Sequence, residues 1–194
     1  MKLARPAQKQ LAALIADAKP LSGDFFRSVA FRYFHPDAVI SGEGTRLAGG
    51  RFAPVGVNAV YASFDEETAL HEVTARKKPL GGRAQIEIKE YPRLTYVITV
   101  KTHRSIDLAT DLPSELAAVV RRCLREHQYS ISQELAAIWI GQGIDSVVFP
   151  SATGVGRNLV VYLTNAGAGS VTIRNRNEIL AALRPARRHG RQDR

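Results

Sequence analysis

GGRFAPVGVNAVYASFDEETALHEV, residues 49–73, is the stretch from which the rest of the chain can be read. Paired glycines open it, and Arg51 and Phe52 follow where a backbone without Cβ atoms can approach a ligand closely. Ala59–Phe64 is a short run of apolar, β-branched and aromatic residues, which predicts a buried strand. Asp65 then predicts a helix start, because its carboxylate can accept from the first free backbone N–H groups. That helix is expected to run to about Arg76. The segment is therefore a glycine turn, a strand carrying Tyr61 and a helix carrying Glu72, three supports that can face one site.

Toward the N-terminus, residues 6–18 predict a helix with Leu11, Leu14, Ile15 and Ala18 on one face, ended by Pro20. Residues 25–34 (Phe25, Phe26, Val29, Phe31, Tyr33) predict a strand, and Arg32 inside it requires a partner or a cavity. Residues 36–56, rich in Gly and Pro, predict a long irregular loop of the kind that carries function. Toward the C-terminus, Gln85–Ile88 and Leu94–Thr102 predict strands around Tyr91-Pro92. Asp111-Leu112-Pro113 opens a helix with Leu116, Val119, Val120 and Leu124 as its apolar stripe. Ser132–Gly141 predicts a shorter helix, and Ser146–Phe149 and Asn158–Leu163 predict strands flanking the loop Pro150–Arg157. Ser170–Ile173 and Asn177–Leu183 predict a last strand and a closing helix. Strands and helices interleave without regular βαβ units, so the expected class is α+β with a mixed, largely antiparallel sheet. The 194 residues suit one domain. It is divided as an N-terminal helical extension (1–20), a main domain (21–184) and a basic tail (185–194), whose four arginines lack a hydrophobic pattern and predict disorder.

Composition removes several function classes. No apolar run reaches the roughly 18 residues of a membrane span. Gln8, Lys9 and Gln10 break up any signal-peptide core, so a cytoplasmic protein is expected. The single cysteine, Cys123, reads as packing. The formal charge of +9 favours anionic ligands or an acidic partner. There is no P-loop, and Gly154-Val155-Gly156 precedes a strand, the wrong setting for a dinucleotide fingerprint. The five histidines lack metal-ligand spacing, so no metal is expected, and no G-x-S-x-G elbow marks a nucleophile. What remains is a set of site-like residues: Arg32, Arg51, Tyr61, Glu72 and Ser151. Taken singly each has a plainer role, with Arg32 and Glu72 as a structural ion pair and Tyr61 as core.

As a pattern these residues resemble the RES domain family, named for its Arg, Glu and Ser. The resemblance spans roughly Phe26 to Leu163 and is most specific at residues 49–73: a glycine turn, Arg-aromatic, Val-Tyr-x-Ser, then Ala-Leu-x-Glu-Val. FPSATGVGRNLVVY, residues 149–162, is similar to the family's Pro-Ser loop and the Asn before a strand. The early Arg is placed at Arg32, with Arg27 and Arg46 nearby. Phe52 stands where Trp is more usual, and the N-terminal helix is longer. The resemblance implies an ADP-ribosyltransferase-like fold and action on NAD⁺ as a consumed substrate rather than a recycled cofactor. It further implies the toxin of a type II toxin–antitoxin system, with a cognate antitoxin, Xre-like or related, covering the active site.

The residue chemistry fits that implication. Breaking the nicotinamide–ribose bond develops cationic charge at the anomeric carbon, which Glu72 can stabilise. Arg32 and Arg51 can grip the pyrophosphate, Tyr61 can stack on nicotinamide, and Ser151 and Asn158 can hydrogen-bond ribose or the amide. The expected reaction is mono-ADP-ribosyl transfer to a protein acceptor, toward which the extra N-terminal helix leans as a docking surface, although the simplest role of its apolar stripe is packing on its own domain. Hydrolysis or phosphorolysis of NAD⁺ is the alternative. A basic nucleic-acid binder or ribonuclease is a distant third, because the aromatics are spaced as core and form no stacking platform; contact with nucleic acid is expected only through the antitoxin.

Overall fold

The computed structural model describes residues 3–75, 93–126, 128–154 and 156–182. The expected strand at Gln85–Ile88, the Tyr91-Pro92 turn and the tail 185–194 lie outside them. The centre of the fold is a pair of strands apolar over most of their length: β4 (Ser146–Pro150), after its first residue, and β5 (Arg157–Tyr162), after its first two. Successive strand residues face opposite ways, so a continuous apolar run needs cover on both faces. Val147, Phe149, Val160 and Tyr162 join one buried cluster, while Val148, Leu159 and Val161 join a second.

β2 (Ala59–Ser63) pairs antiparallel with β5 from Ala59↔Tyr162 to Ser63↔Asn158. The long β3 (Arg93–Asp107) runs parallel to β4 at Ser105–Asp107 and antiparallel to β1 (Lys19–Ala30) over nearly its full length. A short β6 (Val171–Ile173) adds to β3. β1 then returns to β2 through one pair, Phe26↔Ser63. The sheet is thus mixed and largely antiparallel, as expected, and β1, β2, β5, β4 and β3 close on one another. Closure through a single pair holds β1 and β2 together at one point and leaves them free to part beyond it.

Helices α1 (Arg5–Ala16), α5 (Ser114–Arg125) and α6 (Ser130–Gly141) cover the first cluster. Ala7, Leu11 and Ile15 of α1 are buried in the same cluster as Leu116, Val120 and Cys123 of α5, and the Gln10 side chain accepts from the Leu116 N–H at 2.9 Å. The apolar stripe of the N-terminal helix is therefore used inside the molecule. Cys123 is fully buried, and burial pushes its thiol up to about 12, which suits packing rather than chemistry.

Four expectations change. The first helix stops at Ala16 and Pro20 lies inside β1, which starts at Lys19. Only Phe25 of β1 is buried, so the start of the strand carries almost no hydrophobic signal. The strand ends at Ala30, and Phe31–Tyr33 form a 3₁₀ turn that puts Arg32 on the surface instead of in a strand. Residues 36–56 hold α2 (Pro36–Ile40) and α3 (Glu43–Ala48) rather than a continuous loop. Gly42 joins them with φ +68°, and a Cβ there would lie 2.7 Å from the backbone N of Ala59. α4 (Glu66–Ala75) begins as expected, with Asp65 accepting from the Thr68 N–H at 2.7 Å and the Thr68 hydroxyl at 2.8 Å. Leu163–Ala166 form a short α7 where the β5 strand was expected to continue, and α8 (Arg176–Ala182) closes the described chain.

Candidate active site

A cleft of ≈ 390 Å³ opens where β1 and β2 part, lined by Phe26, Arg27 and Ser28 on one side and Tyr61, Ala62 and Ser63 on the other. The 49–51 turn, α4 and the turn before α6 complete it through Arg51, Glu72 and Tyr129. The gap between the strands is spanned by a side chain: Arg27 Nη1 donates to the Tyr61 carbonyl at 2.5 Å. The Tyr61 hydroxyl accepts from the Phe52 N–H at 3.0 Å. A Cβ on Gly50 would lie 2.6 Å from that hydroxyl, so the turn needs glycine to pass over the ring.

Glu72 is held from one side. Its Oε1 accepts from the Ser151 hydroxyl at 2.6 Å and from Asn158 Nδ2 at 2.7 Å. Asn158 is oriented in turn by the Ser63 hydroxyl, which donates to its Oδ1 at 2.8 Å. The Thr153 N–H donates to the Ser151 hydroxyl at 3.1 Å. Ser63, Ser151 and Asn158 are all buried, so this chain of hydrogen bonds holds the half-buried carboxylate from its protein side. Ser151, expected to meet the ligand, has its hydroxyl engaged with Glu72.

Arg51 lines the cleft, and its Nη1 also donates to the carbonyls of Cys123 and, at 3.2 Å, Glu126. Its guanidinium carbon lies 4.6 Å from the centre of the Tyr129 ring. Phe52 is fully buried against Trp139 and Phe149, and its carbonyl accepts from the Tyr162 hydroxyl at 2.7 Å. Its aromatic bulk anchors the turn from below and turns Arg51 the other way, toward the cleft.

The expected site residues therefore separate. Arg51, Tyr61, Glu72 and Asn158 line one cleft, and Ser151 stands directly behind it. Arg32 does not join them; its guanidinium lies 4.8 Å from the exposed Tyr33 ring, and Arg27 lines the cleft instead. Sequence reasoning named Arg27 only as a neighbour of Arg32 and Ser63 only as the Ser of Val-Tyr-x-Ser, and it passed over Tyr129. Arg27 carried a usable signal in its place after Phe25-Phe26, two residues from the buried Phe25 on an alternating strand. Tyr129 carried none, since its position depends on a turn joining two helices.

A family profile described as "RES domain" matches residues 24–181. No curated protein matches the chain. Among solved structures it is similar to a chain of the M. tuberculosis MbcT–MbcA toxin–antitoxin complex, at 23% identity and a TM-score of 0.66, over 89% of this chain and 91% of that one.

Proposed function

The chain belongs to the RES domain family, and from that premise we propose that it is the toxin of a toxin–antitoxin pair whose cleft takes NAD⁺ and breaks the nicotinamide–ribose bond. The observation that carries this reading is the joint placement of Glu72, Tyr61, Arg27 and Arg51 in one cleft, with Glu72 braced by Ser151 and Asn158. As nicotinamide leaves, it takes the bonding electron pair and becomes neutral, and positive charge develops on the ribose. A carboxylate already oriented at that point stabilises the transition state without reorganising. Arg27, which lines the cleft, takes in this reading the pyrophosphate-holding role that the sequence gave to Arg32 together with Arg51. Tyr61, pinned by its hydroxyl, offers a ring face to the nicotinamide.

The released ADP-ribosyl group passes to an acceptor. We take this to be a protein side chain, in the manner of a mono-ADP-ribosyltransferase, with water or phosphate as the alternatives. The stripe of α1 is not its docking surface, because Ala7, Leu11 and Ile15 are spent in the core. The toxin role is supported by the family and by a fold shared with a chain of the MbcT–MbcA complex.

Purified protein incubated with NAD⁺ is expected to release nicotinamide, followed by liquid chromatography, and Glu72→Gln to lower the rate by on the order of 10²-fold or more. The second product identifies the acceptor: a labelled protein in lysate, free ADP-ribose in buffer, or its phosphate adduct when phosphate is present. NAD⁺ left intact under all three conditions overturns the proposal.

A further inference from the structure

The end of the cleft away from Glu72 is built from an arginine and a tyrosine in face contact. Tyr129 is, among the described residues, the one non-glycine residue with a left-handed backbone, at φ +57°. A bulky side chain avoids that region, and such outliers persist only where their surroundings over-determine them. Here they do. The Tyr129 carbonyl accepts from the Gln133 N–H at 2.9 Å and the Ser132 hydroxyl at 3.1 Å. The Glu126 carboxylate spans the same turn, accepting from the N–H groups of Ile131 at 3.0 Å and Ser132 at 2.7 Å. Gln133 Nε2 donates to the Gly50 carbonyl at 2.9 Å, tying the turn to the 49–51 segment. Arg51 closes the arrangement by bonding the last carbonyls of α5 while its guanidinium covers Tyr129.

The cleft therefore has two unlike ends, with Arg51 and Tyr129 at one and the Glu72 carboxylate at the other. Tyr61 stands between its ends: its hydroxyl meets the Phe52 N–H beside Arg51, and two residues further along β2 Ser63 orients Asn158 beside Glu72. We propose that the Arg51–Tyr129 pair is the subsite for the adenine ring and that it fixes which way round the dinucleotide lies. This rests on the reading that NAD⁺ is the substrate. The two rings of NAD⁺ differ in charge: nicotinamide is a cationic pyridinium and adenine is neutral. A pyridinium beside a guanidinium is repelled and is drawn to the carboxylate end. A neutral purine stacks readily on a tyrosine ring or a guanidinium plane. The strained turn is what places a flat surface there.

The test uses the Glu72→Gln protein, which leaves ligands whole, and calorimetric titration with NAD⁺, ADP-ribose and nicotinamide mononucleotide. Adding Tyr129→Asn, a residue that tolerates the left-handed backbone, is expected to weaken NAD⁺ and ADP-ribose by on the order of 5- to 150-fold. The mononucleotide, which lacks adenine, is expected to change by less than about twofold. Tyr129→Phe keeps the ring and restores tight binding. Should Tyr129→Asn not fold, Tyr129→Gly makes the same comparison without the backbone penalty. Unchanged affinity for ADP-ribose, or an equal loss for the mononucleotide, overturns the adenine subsite and leaves the NAD⁺ reading standing. If the Glu72→Gln protein binds none of the three ligands, both fail together.

Discussion

Arg27 and Arg32 are five residues apart in one aromatic stretch, yet only the first reaches the cleft. Arg27 lies on β1 beside the single pair that closes the sheet, and Arg32 follows the end of that strand on an exposed 3₁₀ turn. On the Glu72→Gln background, Arg27→Ala is expected to weaken NAD⁺ binding by on the order of 10- to 150-fold, the cost of a lost charged hydrogen bond. Arg32→Ala is expected to change it by less than about twofold. Titration calorimetry on the two variants decides the matter, and the reverse order would return the early arginine to Arg32. The same distinction separates Ser151 from Asn158. Asn158 lines the cleft, whereas Ser151 lies behind it with its hydroxyl on the Glu72 carboxylate.

At the level of elements, α1 is part of the core. Leu11 is buried in the cluster that α5 and α6 share. Leu11→Ala is expected to cost about 2–5 kcal/mol, read from urea unfolding, because it removes buried methyl groups and leaves a cavity. A loss under about 1 kcal/mol would mean that α1 is a detachable extension. The turn between α5 and α6 carries a pH dependence. Burial pushes the Glu126 carboxyl up, but hydrogen bonds from Ser132 and Ile131 and the charge of Arg51 outweigh it and hold the group below its ordinary 4.5. A folded value below the unfolded one gives stability that is present above about pH 4.5 and is lost as pH falls through the folded value. Glu126→Gln is accordingly expected to lower Tm at neutral pH, with the difference shrinking below pH 4.5 in a thermal melt series. A difference independent of pH would show that the Glu126 charge adds nothing to this turn.

At the scale of the whole molecule, the formal charge of +9 and a pI near 10.0 suit an acidic partner that associates quickly and in a salt-dependent way. We expect that partner, an antitoxin, to cover the cleft between Gly49–Phe52 and Ser151–Arg157. Occlusion requires only that a segment fill the gap between β1 and β2. Induced expression of the chain alone is expected to arrest bacterial growth, and co-expression of the partner to relieve it. The pre-formed complex is expected neither to bind an NAD⁺ analogue nor to release nicotinamide, while the free chain does both. A complex that turns over NAD⁺ at the free rate would place the partner elsewhere on the surface.

Much of this molecule was legible locally. The run Ala59–Phe64, the Asp65 cap and the helix after it are decided by neighbours in the chain, so the sequence alone determined that Tyr61 and Glu72 sit on adjoining elements. The largely apolar runs at 146–149 and 158–163 predicted two strands, whose pairing and cover on both faces came only with the fold. The packing of Cys123 and the apolar stripes of α1 and α5 followed from helical period. What only the tertiary structure decided was every relation between distant segments. The Phe26↔Ser63 pair, which lets the cleft open, joins residues whose register no local pattern specifies, and a slip of one residue would turn Arg27 to the other face. The engagement of Ser151 with Glu72 and the left-handed Tyr129 under Arg51 likewise arise only where separate turns meet. Local propensity acts over a few residues, whereas a site is assembled by strand register and helix packing across the whole chain.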